Sequence, residues 1–255
     1  MSHAAKQPVL RKVLVFGINP VREALLADSK PVKCVYFEEG RKRRAAFEEI
    51  RELALRAGIR VELLPKKVFS GKCPSKAAQG VAAETLEKKP LPLNALLDIP
   101  VEKDETPFFV LLDGVEDPRN LGAIIRTAEA CGVHGIVLPS RRSATLGPTA
   151  AKTSSGALES MNFSVITNIK RAISAMKDRG IFIVGVEPEK GPSPWRVDLR
   201  GPVAVVFGGE GRGIRPTVLS SCDLFVSLPQ LGRINSLNVS VATGMLLYEI
   251  LRQRA

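Results

Sequence analysis

Aromatic residues, histidine and cysteine are scarce in this chain, and each scarcity removes a class of function. Aromatics make up 5% of the 255 residues, with one tryptophan, two tyrosines and ten phenylalanines. RNA recognition by stacking bases on rows of exposed rings, as in RRM or OB modules, is therefore disfavoured, and Trp195 itself falls in a proline-rich loop. Of the two histidines, His3 is near the N-terminus and His134 sits in Gly132-Val133-His134-Gly135, a turn-like setting, so neither suits a general base. Cys34, Cys73, Cys131 and Cys222 lie far apart, with no Cys-x-x-Cys pair and no paired histidines to complete a zinc site. They are read as reduced, structural thiols, and no metal is expected. No apolar run approaches the ~20 residues that span a bilayer. Met1 to Pro8 has no apolar core followed by a cleavage pattern, so no signal peptide and a cytoplasmic location are expected.

What the chain has in excess is positive charge. Its formal net charge is +11. Residues 1 to 105 carry 20 Lys and Arg against 14 Asp and Glu, and residues 106 to 255 carry 17 against 12. An excess spread over both halves favours a polyanionic partner through long-range attraction and counterion release, without naming it.

The length suggests two domains. Pro90, Pro92, Pro100 and Pro107 recur among charged residues, so 87–106 reads as an extended linker. Before it, residues 1–86 alternate short apolar runs (13–16, 32–37, 59–64, 80–84) with helical patterns, as a small α/β domain does. One helix is expected to open at Asn19-Pro20 with Asn19 as its cap, and another to span 41–57 and stop at Gly58. After the linker, residues 107–255 carry longer apolar runs at 108–112, 135–138, 181–186, 203–207 and 224–228, which suit parallel strands buried on both faces. Helices are expected near 120–131, 147–156 and 168–179, giving a parallel sheet with helices on both faces. Ligands in such sheets bind beyond the carboxyl ends of the strands.

Three strand ends carry distinctive residues. Asp113 to Gly122 leads into a helix with Asn120 at its start and Arg126 further in; the ordinary reading makes Asn120 a cap and Arg126 a solvated charge. Gly208-Gly209-Glu210-Gly211-Arg212-Gly213 permits positive φ and close backbone approach, yet matches neither the dinucleotide fingerprint nor a P-loop. Ser236-Leu237-Asn238-Val239-Ser240 puts polar groups at a helix start, where Ser236 reads as a plain cap and Asn238 as an exposed first-turn residue.

Together, and in this order, the three segments resemble the motifs of the TrmH/SpoU branch of the SPOUT superfamily, the S-adenosylmethionine-dependent RNA ribose 2'-O-methyltransferases. Residues 13–84, including Gly17-Ile18-Asn19-Pro20-Val21 and Gln79-Gly80-Val81, are similar to the substrate-binding domain of its ribosomal-RNA members, and those modifying a guanosine of large-subunit (23S) rRNA are the nearest type. The resemblance implies a trefoil-knotted C-terminal fold, a homodimer, and S-adenosylmethionine held at Gly208, Gly209, Leu228 and Leu237, where a side chain at 208 would fill space the cofactor needs. It makes Arg126 the catalytic arginine, with Asn120, Glu210, Ser236 and Asn238 orienting the ribose, the arginine and the loops. Arg233 and Asn235 receive no role. Within the family a tRNA substrate is the alternative. Outside it, a non-catalytic RNA-binding protein would leave all three motifs idle, and a nicotinamide or nucleotide enzyme lacks its glycine spacing and distal acid.

Overall fold

The structure, a computed structural model, describes residues 12–26, 32–41, 45–73, 78–86, 89–188, 190–233 and 236–255. The leader reading at Met1–Pro8, residues 42–44 of the helix expected at 41–57, and Ile234 and Asn235 lie outside them. Two compact units divide the chain, Met1–Lys89 and Pro90–Ala255. Among the described residues no helix is long and apolar enough to cross a membrane.

The first unit comprises β1 (Lys12–Phe16), α1 (Ile18–Leu26), β2 (Cys34–Glu38), α2 (Ala45–Arg56), β3 (Arg60–Leu64), α3 (Lys66–Lys72) and β4 (Val81–Leu86). Its sheet runs β1-β4-β2-β3, with β4 antiparallel to β1 and β2, and β2 parallel to β3. Side chains alternate across β2. Val35 and Phe37 join Val21, Ile50 and Ala54 from the helices on one face, while Cys34 and Tyr36 pack with Phe69 and Cys73 on the other. Phe37 and Phe47 meet at 5.5 Å between ring centroids. Asn19 is not a cap: α1 already begins at Ile18, whose N–H donates to Gln79 Oε1 at 3.1 Å. The orphan amide is satisfied by a distant residue, which local sequence cannot reveal. Gly58 does end α2, at φ +67°.

The second unit comprises α4 (Leu93–Glu102), β5 (Phe108–Asp113), α5 (Pro118–Ala130), β6 (Gly135–Pro139), α6 (Pro148–Thr153), α7 (Ala157–Ser160), β7 (Phe163–Ile166), α8 (Ile169–Lys177), β8 (Phe182–Val186), β9 (Val203–Gly208), α9 (Pro216–Leu219), β10 (Leu224–Val226) and α10 (Val239–Arg254). Its six strands are all parallel, in the order β10-β8-β9-β5-β6-β7. Both faces are covered, as the unbroken apolar runs require. Phe108, Val110 and Leu112 of β5 face a core closed by Leu121, Ile125, Leu246 and Ile250, whereas Phe109 and Leu111 face a second core with Ile173 and Met176.

The residues read as a linker do not all behave as one. Leu93–Glu102 is a helix, Leu96 and Leu97 are fully buried in the second core, and Leu91 N–H donates to Phe163 O at 2.7 Å. Pro92 caps this helix and Pro100 sits in its last turn, so the prolines mark its ends rather than forbid it. β7 escaped the sequence reading, being four residues of which only two are buried.

Candidate active site

The ends of β5 and β9 lie side by side, with Asp113 registered on Gly208. Beyond β5 the chain turns through Gly114 and enters α5, which is capped by Asp117: its carboxylate accepts from Arg119 N–H at 2.7 Å, and Pro118 takes the first helical position. The Arg119 guanidinium, and then that backbone bond, hold the Asp117 carboxyl below its usual range. Asn120 is thereby released from the capping role expected of it, and its side chain is free for the site.

The glycine segment after β9 folds back on itself. Gly213 N–H donates to Gly209 O at 3.1 Å, with Gly211 at φ +80° and Gly213 at φ +62°. A methyl group on Gly208 would strike the Gly213 carbonyl carbon and the Ile214 nitrogen, and one on Gly209 would strike the Gly114 carbonyl. Glycine at 208 therefore answers to close packing of backbone on backbone, at a position that also lines a cavity. This hairpin puts Glu210 at its tip.

The third segment enters α10, and its cap is Asn238 rather than Ser236. Asn238 Oδ1 accepts from Ser240 N–H at 3.0 Å, Val241 N–H at 3.4 Å and Ser240 Oγ at 2.6 Å. With its oxygen so occupied, Nδ2 must point outward. It donates to Asn120 Oδ1 at 3.1 Å and to Glu210 Oε1 at 2.9 Å. Asn120 Nδ2 also donates to Glu210 Oε1, at 2.6 Å. Asn120, Glu210 and Asn238, from three separate strand ends, thus close a ring that fixes one carboxylate oxygen with two amide donors. Glu210 Oε2 makes no hydrogen bond among the described residues, so a hydroxyl-accepting oxygen is held in a fixed direction.

Two cavities meet at this ring. The first, about 520 Å³, is lined by Gly208, Gly209, Leu228, Ser236 and Leu237, with Glu187 and Gln230. The second, about 470 Å³, is lined by Asp113, Asn120, Arg141, Arg142, Arg212 and Arg215. Glu210 lines both. Arg126 lines neither: it is exposed on α5, and its NH1 donates to Ser155 Oγ at 3.2 Å.

Sequence reasoning missed Glu187, which follows β8 and accepts from Ile214 N–H at 3.1 Å, and Asp113, the buried last residue of β5. A polar residue at the carboxyl end of a buried parallel strand, or directly beyond it, was the available signal for both. The arginines of the second cavity carried no comparable signal, because Arg141 and Arg142 follow β6 in a loop without a recognisable pattern.

Comparison with known proteins agrees with this architecture. Residues 107–248 match the model of the SpoU rRNA Methylase family, and residues 14–91 match that of the RNA 2'-O ribose methyltransferase substrate binding domain. A Bacillus subtilis protein, YacO, whose name provisionally makes it a TrmH family tRNA/rRNA methyltransferase, is 40% identical over 94% of this chain and 95% of its own length. The 23S rRNA (guanosine-2'-O-)-methyltransferase RlmB of Ralstonia nicotianae is 37% identical over 95% of this chain and 96% of its own. Among solved structures, the SpoU methyltransferase AviRb of Streptomyces viridochromogenes, in complex with the cofactor AdoMet, superposes with a TM-score of 0.78 at 26% identity, covering 95% of this chain and 90% of that one. On its strand-end motifs, its parallel sheet and these matches, the chain belongs to the SpoU rRNA methylase family.

Proposed function

We propose that the protein methylates the 2'-hydroxyl of a guanosine ribose in 23S rRNA, with S-adenosylmethionine as donor. The observation that carries this reading is the single carboxylate, Glu210, held by Asn120 and Asn238 at the meeting point of a glycine-walled cavity and an arginine-walled one. The first cavity fits the donor. Its size is that of ordinary ligand pockets. Leu228 and Leu237 offer apolar walls to a purine, the glycines expose backbone donors and acceptors, and Glu187 and Glu210 supply negative charge for a cationic ligand. When bound, S-adenosylmethionine provides a methyl group already activated for attack.

The chain's own task is then to position a weak nucleophile and help remove its proton. Glu210 Oε2 accepts the ribose hydroxyl, and the amides of Asn120 and Asn238 stop the carboxylate turning away. Ser236, exposed at the rim of the first cavity, offers its hydroxyl to orient the ribose. Arg126, at the family's arginine position, serves as the catalytic cation by meeting RNA brought over α5.

The same proposal includes a homodimer. Val241, Met245, Tyr248 and Leu251 are exposed large apolar side chains on one face of α10, a stripe suited to a second copy of the chain. It also includes a knotted path through the second unit. In support, the chain passes from β9 out to β10 at the sheet edge, then returns through Leu228 and Ser236 beside the glycine hairpin. An rRNA substrate makes the cytoplasm its place of work.

The test is transfer of tritiated methyl from S-adenosylmethionine to transcribed 23S rRNA and to tRNA, followed by alkaline hydrolysis. A hydrolysis-resistant dinucleotide from one rRNA guanosine is expected. Label on a base, or on tRNA alone, would overturn the assignment.

A further inference from the structure

The second cavity has a chemical layout of its own. At one end stand Glu210 and Asn120, which act on a hydroxyl; around the rest stand four arginines. Arg215 is locked in place, since buried Asp113 accepts from its Nε at 2.8 Å and its backbone N–H at 2.9 Å, and is ion-paired with its NH2 at 2.7 Å. Asp117 is paired with Arg119. The other wall carboxylates are Glu116 and Glu210. Arg141, Arg142 and Arg212 are exposed and have no ion pair or hydrogen bond among the described residues.

Arg142 is also held in an unfavourable backbone conformation, φ +55°, a region that side-chain-bearing residues seldom adopt. Its loop is tied at both ends, by Ser140 N–H to Ile166 O at 2.7 Å and by Ala144 N–H to Val115 O at 2.8 Å. A ribonucleotide presents hydroxyls beside anionic phosphates, which is the pattern that this cavity complements.

Building on the methyltransferase reading, we infer that the second cavity seats the target nucleotide, with Arg142 and Arg212 gripping the phosphates that flank its ribose. Arg215, anchored by Asp113, forms the fixed floor. The two exposed guanidiniums supply affinity and register for the RNA and take no part in holding the methyl donor.

Equilibrium binding of transcribed 23S rRNA across a salt series, with calorimetry of S-adenosylmethionine, tests this on the full chain. Arg142→Gly removes the guanidinium while tolerating the positive φ, Arg142→Lys keeps a charge, Arg212→Ala removes the second contact, and Arg171→Ala, at an exposed position of α8, is the control. Arg142→Gly and Arg212→Ala are each expected to weaken RNA binding about fivefold or more. Each should also flatten the slope of log K against log salt by roughly 0.7–0.9, the loss of one phosphate contact. Arg142→Lys should recover most of the slope, and donor affinity should stay within about twofold throughout. RNA affinity and slope equal to those of the control would overturn the assignment, as would a matching fall in donor affinity. The two readings fail separately: a wild-type protein that binds RNA with these arginine effects but transfers no methyl group sinks the activity and leaves the subsite standing.

Discussion

Asn238 does two things with one amide, and substitutions can separate them. Its oxygen caps α10, and its nitrogen holds Glu210 and Asn120. Asn238→Asp keeps the cap but puts a second carboxylate against Glu210, so turnover should fall about 10²-fold while the melting temperature stays near wild type. Asn238→Ala should lose both, adding about 1 kcal/mol of destabilisation. Asn120, free of capping duty, should lose turnover alone when changed to Ala. A melting curve beside a single-turnover assay reads all three, and equal destabilisation by Asn120→Ala and Asn238→Ala would contradict the division. Arg126→Ala is expected to cut turnover about 10²-fold or more without moving donor affinity, and wild-type single-turnover rates would remove its proposed role. The thiols should be quiet. Burial raises the Cys34, Cys73 and Cys131 thiols and pushes Cys222 up to about 11, so all four stay protonated at pH 8. Alkylation by iodoacetamide at that pH should be slow in the native protein and fast once it is unfolded.

Among the elements, α4 has the most unexpected weight. Leu96→Ala should cost about 2–5 kcal/mol, because a fully buried leucine leaves a cavity against the sheet. A chain begun at Pro107 would lack α4 and expose the face it covers, whereas one begun at Pro90 retains it. Only the longer form is expected to unfold cooperatively in urea, and cooperative unfolding of both would show that α4 is dispensable. This contrast also marks what the sequence could disclose. Long apolar runs such as Phe108–Leu112 announced their strands because both faces of the sheet are covered, which leaves the run unbroken. α4 hid behind prolines that proved to be end markers, and β7 behind its brevity. At the site, the three glycine-, asparagine- and serine-bearing segments were visible from their residue types. That Asn238, not Ser236, would cap α10, and that Asp117 would cap α5 and release Asn120, turned on differences of two or three residues in helix start, and the ring itself depended on contacts 28 to 118 residues apart.

For the whole molecule, charge and an uncovered apolar stripe govern what it meets. Met245→Glu places a charge in the middle of the exposed face of α10. Sedimentation at micromolar concentration should then give a species near the 27.6 kDa of one chain, against twice that for the wild type. A wild-type monomer would dismiss the dimer, and a dimer that persists in Met245→Glu would move the interface elsewhere.

The contacts that make the site are among the most distant in the second unit. Asn120 reaches Glu210 across 90 residues and Asn238 across 118, and Asp113 reaches Arg215 across 102. Contacts between such remote segments cannot form until β5 and β9 have found each other, and loop closure makes such pairings slow. Time therefore separates two kinds of order in the refolding chain: helices and local turns come early, and competence to hold a ligand comes at the end. Any fluctuation that lifts α10 from its seat erases the ring first, so occupancy of the first cavity doubles as a lock on the final step of assembly.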